Sequence, residues 1–220
     1  MARFRRKDLK GPDQFVTTTT TAILWAEEHR PKVYMAAAAA VGVLLLIGGL
    51  GAVRASRARQ VNQEIAQGLS QLHGDKYAAA ATELSGVGER WNGTTPGTIA
   101  SLFATQANLL AKNQDGALAA AQKVADEGAS PDYLEQQALV LLAGVEEGKG
   151  DFARAAESYG KARGADGPYT AIALLGEARM RERQGDSAKA IELYQSFVDE
   201  YPESKDQAYA SARLTLLKAS

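Results

Sequence analysis

Few residues of this 220-residue chain have the type and spacing that catalysis or metal binding requires. The chain has no Cys, which excludes a disulfide framework, a thiolate zinc site and a catalytic thiol. Its two His residues, His29 and His73, lie far apart and leave little room for metal or His-based chemistry. Carboxylates pair at Glu146-Glu147 and Asp199-Glu200, but neighbours in a helix do not face each other. We expect both pairs to lie on solvated helix faces.

Motifs of catalytic sites are missing as well. The sequence contains no phosphate-binding loop of the G-x-x-x-x-G-K-S/T type, no H-E-x-x-H and no G-x-S-x-G. Gly86-Val87-Gly88 is an isolated G-x-G and indicates nothing specific. A net charge of −1 argues against a dedicated nucleic-acid binder. We predict that the chain is not an enzyme, with no catalytic, cofactor-binding or metal-binding residues and no small-molecule substrate.

The charges divide the chain into three segments that must position any binding residues. Residues 1–32 carry a net charge of +3, residues 33–53 carry no charge, and residues 54–220 carry −4. We interpret these segments as a basic cytoplasmic arm, a transmembrane helix and a helical domain. Abundant Ala and 7% aromatic residues favour an all-α fold.

The uncharged segment 33–53 determines the class of protein. As a helix its 21 residues extend about 31 Å, which matches the core of a bilayer. Arg30 and Lys32 precede it, and Arg54 and Arg57 follow it. A buried helix of a soluble protein and a cleaved signal peptide remain alternatives.

The short arm sets the expected orientation. Its seven basic residues favour an N-terminus in the cytoplasm, with the helical domain in the periplasm of a bacterium, although a count restricted to the helix ends decides nothing. Phe15, Thr19, Ala22 and Ile23 share one face of a possible surface helix, and a disordered arm is the alternative. The basic residues at 3–10 either meet anionic lipid or a membrane partner, or serve as a topology signal alone.

Small residues along the span are candidates for contact with another membrane helix. They form two small-xxx-small pairs, Ala38 with Gly42 and Gly48 with Ala52. Gly and Ala are also common in membrane helices that make no such contact, so this reading stays open.

After residue 59 the chain repeats. Gly-Asp breaks between predicted helices occur at 74–75, 150–151 and 185–186. Each is followed by paired small or apolar residues and then by a large residue one helical turn later. Residues 113–116 form a fourth, degenerate break. Gly allows a tight turn and Asp caps the next helix. The paired Ala residues let helices approach closely. Two-helix units of this size cannot bury their apolar faces alone, so successive units must stack on one another. The last helix, 206–218, either caps the array or docks elsewhere.

These residues resemble the tetratricopeptide repeat. The best unit, 171–204, carries the repeat residues Leu174, Ala178, Gly185, Asp186, Ala190, Tyr194 and Pro202. It departs from the repeat at Glu177 and Arg181, where the consensus has Leu and Tyr, which implies weaker packing or a capping unit. The unit from 136 also matches, whereas the two earlier units match weakly. Generic Ala-rich helical hairpins are the alternative.

The order of basic arm, single span and degenerate repeats resembles the YfgM-like ancillary subunits of the Sec translocon. Short segments carry the likeness, among them 13–15, 25–30, 175–177 and 184–186. The segment 201–204 also resembles periplasmic envelope-assembly and division proteins, which lack this anchor. The resemblance implies an inner-membrane protein whose partners are the Sec translocon and a periplasmic chaperone.

Function would then lie in a groove lined by the first helix of each pair. By repeat register, the candidate partner-binding residues are Gln137, Val140, Gly144, Glu147, Ile172, Leu175, Arg179, Glu182 and Arg183. They are equally compatible with ordinary solvated positions. The expected function is an adaptor that links the translocon to chaperones and emerging chains. The alternative is a membrane-anchored scaffold for envelope assembly or division that self-associates into homo-oligomers through its repeats.

Overall fold

The structure is a computed structural model that describes residues 29–165 and 167–219. In these ranges the chain forms α-helices and no strand, as an all-α fold requires. It divides into two units, residues 1–57 and 58–220. The helices are α1 (Arg30–His73), α2 (Tyr77–Arg90), α3 (Thr95–Leu110), α4 (Gln114–Glu127), α5 (Asp132–Gly148), α6 (Phe152–Gly164), α7 (Thr170–Arg183), α8 (Ser187–Glu200) and α9 (Gln207–Ala219).

The first unit contains the segment expected to cross a membrane. Residues 33–53 are helical and belong to α1. Over the part of the chain that the structure describes, we find no helix with both the length and the apolar character needed to cross a membrane, so the expected transmembrane helix is not supported there. The surface helix expected in the arm lies outside the described residues.

The proposed helix contact within 33–53 stays a prediction. A side chain added at Gly42 would meet nothing within 4 Å, and Ala52 is exposed. The side-chain surroundings of Ala38 and Gly48 lie outside what the structure describes.

The second unit is a succession of helices, each packed against the next. From α2 to α9, every helix contacts the one that follows it in sequence. The three predicted Gly-Asp breaks lie between helices, at the α1–α2, α5–α6 and α7–α8 turns, whereas the fourth, 113–116, overlaps the α3–α4 turn only at Asn113 and otherwise forms the first turn of α4. The stacked-helix prediction is therefore confirmed for this unit.

The Gly-Asp turns form as predicted at two of the three positions. Gly150 and Gly185 adopt φ values of 80° and 81°, in the left-handed region where Gly avoids a Cβ clash. Asp151 then accepts a hydrogen bond from the backbone N–H of Arg154, and Asp186 caps α8 in the same way, both at 3.2 Å.

The prediction is wrong at the Gly74-Asp75 break. Here Asp75, with φ 59°, is the left-handed residue, and Lys76 is the N-cap of α2 without a side-chain bond. The extra residue in this turn moves Asp75 away from the cap, and its carboxylate accepts the Tyr77 hydroxyl at 2.5 Å instead.

The last helix covers one end of the core. Ala210 and Leu214 of α9 are buried in a cluster that includes Tyr194 and Phe197 of α8. The sequence left open whether residues 206–218 cap the array or dock elsewhere. Helix α9 packs on α8 and buries the apolar side chains there.

Candidate functional site

The first helices of successive pairs, α5, α7 and α9, meet through charged side chains. The Arg179 guanidinium of α7 donates to both carboxylate oxygens of Glu147 on α5, at 2.6 and 2.7 Å. One pair further along, Arg213 of α9 bonds to the Glu182 carboxylate of α7. We call the surface that these three helices share the groove face.

Each of these carboxylates also accepts a Tyr hydroxyl from the second helix of its own pair. Tyr159 donates to Glu147 at 3.3 Å, and Tyr194 donates to Glu182 at 2.8 Å. Burial raises the pKa of Tyr159 to about 12, and the Glu147 charge adds to the shift. Burial also raises the pKa of Tyr194, so both hydroxyls stay protonated and remain donors at neutral pH.

The spacing shows that this is a repeated arrangement. In both cases the Tyr follows its Glu by 12 residues, and the Arg follows by 32 or 31 residues. We call it the Glu–Tyr–Arg ladder; its members are Glu147, Tyr159, Arg179, Glu182, Tyr194 and Arg213. The repeat register predicted Glu147, Arg179 and Glu182 on the groove but did not predict the other three. The recurring intervals were the signal that could have found them.

The Arg179–Glu147 ion pair of the ladder is partly buried. Burial alone would lower the pKa of Arg179, but the hydrogen bonds and charge of Glu147 raise it overall. Both bonds come from the same nitrogen, Nη2, which bridges the two carboxylate oxygens of Glu147 and fixes both side chains. These groups hold adjacent helix pairs in register.

The remaining candidate residues occupy different environments. Ile172 is 53% exposed and Gly144 is also exposed, whereas Gln137 and Val140 are half-buried. Leu175 is only 8% exposed and belongs to the core cluster around Tyr194. The structure thus places Ile172 and Gly144 where a partner can reach them, and Leu175 in the interior. Their role in binding stays a prediction.

Arg183, another candidate groove residue, contacts an aromatic ring instead of a carboxylate. Its guanidinium lies over the Phe152 ring, 5.2 Å from the ring centre, a cation–π arrangement. Among the described residues no carboxylate lies within ion-pair distance of Arg183, in contrast to Arg179 and Arg213.

The expectation that both carboxylate pairs are solvated is wrong for Glu146-Glu147. Glu146 is 5% exposed and accepts the Ser158 hydroxyl at 2.7 Å, because it lies on the side of α5 that α6 covers. Burial raises its pKa, and the Ser158 bond offsets only part of that rise. Asp199 and Glu200 are exposed, as expected.

The departures from the repeat consensus at Glu177 and Arg181 form an ion cluster inside the fold. Glu177 is buried, and its carboxylate accepts from Arg163 of α6 at 2.9 Å and lies 3.9 Å from Arg181. Charge pairing therefore replaces the apolar packing that the consensus residues would give at this position.

The described ranges contain no cluster of metal ligands. We find no group of three or more His, Asp or Glu side chains there that could hold a metal ion. Each ladder carboxylate is already occupied by an Arg and a Tyr.

Comparison with known proteins agrees with the repeat interpretation. Residues 140–205 match the family model described as Tetratricopeptide repeat. The match covers most of α5 through α8, which carry every ladder residue except Arg213, and it supports a protein that contains tetratricopeptide repeats. A search of curated proteins finds no match. Tetratricopeptide repeats are typical of protein–protein interaction scaffolds, so they indicate an adaptor role.

Proposed function

We propose that this protein is a membrane-anchored adaptor that binds protein partners through its groove face. The observation that carries the binding function is the row formed by α5, α7 and α9, of which α5 and α7 lie largely within the segment that matches the tetratricopeptide repeat and α9 follows it. Adjacent helices of the row expose both charged and apolar side chains, a composition suited to broad contact with an extended segment or a partner helix.

Membrane anchoring is proposed from the composition of residues 33–53. All 21 residues are uncharged, basic residues flank them, and the length fits a bilayer. Described apolar side chains of this helix support the proposal, since Leu44 and Leu45 are 67% and 71% exposed. An apolar environment would remove that surface from water.

The proposed place of action is the bacterial inner membrane, with the N-terminus in the cytoplasm and residues 54–220 in the periplasm. The likeness to YfgM-like subunits supports a role as an accessory of the Sec translocon that holds chaperones near emerging chains. The basic arm supports the orientation.

Topology is the first test. Alkaline phosphatase fused after Ser220 in a bacterial host should be active in the membrane fraction, and a fluorescent protein at the same site should stay dark. Fluorescence without phosphatase activity would contradict a periplasmic domain and would favour a cytoplasmic membrane-tethered scaffold.

Co-purification then tests the partner. The full chain, extracted in mild detergent, should carry the Sec channel with it. Gly48→Leu with Ala52→Leu should reduce the recovered channel. The matched control is Ala39→Leu with Val43→Leu, which lie on the opposite side of the helix at 100° per residue. Homo-oligomers without the channel would contradict the translocon role and favour the self-associating scaffold.

A further inference from the structure

A pocket of about 400 Å³ opens on the groove face between α7 and α9. Its lining is Arg179, Glu182, Arg183, Tyr209 and Arg213. Three Arg residues and one Glu line the pocket, so the lining carries a net positive charge. Glu147, the other carboxylate nearby, is bonded to Arg179 from outside this lining.

Both glutamates around the pocket already have partners. Glu182 accepts Arg213 and the Tyr194 hydroxyl, and Glu147 accepts Arg179. Each Arg carries five N–H donors, so these bonds leave guanidinium donors unused. All guanidinium donors of Arg183 are available to a ligand, because the Phe152 ring contacts Arg183 without occupying its N–H groups.

Apolar surface lies beside these donors. Tyr209 is 46% exposed in the pocket lining, and Leu216, on the same helix, is 58% exposed. A ligand that complements the pocket therefore carries a negative group next to an apolar one. The planar fork of Arg pairs well with a carboxylate, and Tyr209 offers a ring face to an apolar side chain.

We infer that this pocket binds an acidic segment of a partner protein, with an Asp, Glu or terminal carboxylate against Arg183 and its two neighbours and an apolar side chain against Tyr209. The inference rests on the proposed protein-binding function of the groove face and names the chemistry of the segment that it takes.

A displayed library of random seven-residue peptides, selected on the full chain in mild detergent, tests the inference. Selected sequences should be enriched in Asp or Glu beside an apolar residue. A synthetic selected peptide should bind roughly tenfold more weakly to Arg183→Gln, as expected for loss of a charge-assisted hydrogen bond. Its own Glu→Gln version should lose affinity for the unchanged chain to a similar extent, and added salt should weaken binding.

The matched control is Arg154→Gln. Arg154 is an exposed arginine of α6 that pairs with Asp151 and does not line the pocket. This variant should keep full affinity, and circular dichroism should show an unchanged helix content for both variants.

The contrary outcomes are distinct. Enriched peptides without acidic residues would overturn the acidic specificity while leaving a protein-binding groove intact. A selection that enriches nothing would count against the groove function itself, and the inference would fall with it. Inorganic phosphate could displace a selected peptide at a far lower concentration than acetate does. That result would assign the pocket to a phosphate ligand and overturn the inference.

Discussion

The turns inside the helix pairs, α1–α2 and α3–α4 early in the chain and α5–α6 and α7–α8 later, differ in the residue that adopts a positive φ. In the later turns it is Gly150 or Gly185, and the next residue is the Asp that caps the helix. In the earlier turns it is Asp75 or Lys112, which carry side chains. A left-handed conformation costs an L-residue about 1–2 kcal/mol relative to Gly. The same helix-turn-helix unit is therefore built with less backbone strain in the later pairs.

Polar contacts show the same difference. The later pairs share the Glu–Tyr–Arg ladder, which ties each first helix to the next. In the earlier region the corresponding contact at Glu64 involves Arg90 and Trp91, both at the end of the adjacent α2. The match to the tetratricopeptide repeat begins only at residue 140. Repeat-like sequence and regular contacts between helix pairs therefore occur together in this chain.

Close packing in the later pairs gives the largest expected effect. A Cβ at Gly176 of α7 would lie 2.6 Å from the Tyr159 ring, which is buried and bonded to Glu147. Gly176→Ala should displace the ring and lower the free energy of unfolding by about 2 kcal/mol, measured by urea unfolding followed by circular dichroism. Gly144→Ala is the control, because a Cβ there meets nothing within 4 Å and Ala should stabilise the helix by up to about 1 kcal/mol. Equal losses in the two variants would contradict the close-packing argument.

The turns give the next largest effect and test the comparison directly. Gly185→Ala places a Cβ at φ 81° and should cost about 1 kcal/mol of unfolding free energy. Lys112→Gly should relieve strain at φ 58°, and after the added entropy of the unfolded chain the net gain should be about 0.5 kcal/mol. The midpoints of urea unfolding report both changes. If Lys112→Gly destabilised the chain, the difference in strain between the two sets of turns would be refuted.

Local features of the fold could be predicted from the sequence, whereas cross-helix contacts could not. Asp151 and Asp186 cap helices because the required Gly and Asp are adjacent in sequence, so the pattern contains all the partners. The sequence predicted a solvated Glu146, because the burial of this residue depends on where α6 packs and not on its sequence neighbours. The donors Tyr194 and Arg213 lie 12 and 31 residues from Glu182. Such contacts follow from the angle and register between helices, which local residue patterns do not specify.

The smallest expected effects are on the pH dependence of stability, and they should have opposite signs for Glu146 in the later region and Glu64 in the earlier region. Burial raises the pKa of Glu146 above its ordinary 4.5, so the native state keeps this proton to higher pH than the unfolded chain does. Stability due to Glu146 therefore declines as the pH rises from 4.5 through the raised pKa. For Glu64, burial acts to raise the pKa, but the bonds from Trp91, Arg90 and Gln60 lower it overall. Its contribution is present above 4.5 and is lost as the pH falls through the lowered pKa.

Unfolding free energies measured over a pH series would separate the two groups. Glu146→Gln should flatten the decline above 4.5, and Glu64→Gln should flatten the loss below it. Ser158→Ala removes the hydroxyl that stabilises the ionised Glu146, so it should steepen the decline above 4.5. Profiles that stay parallel to that of the unchanged chain would show that neither carboxylate titrates differently on folding. The ion-paired and the buried carboxylate would then be equivalent in this respect, and this part of the comparison would fail.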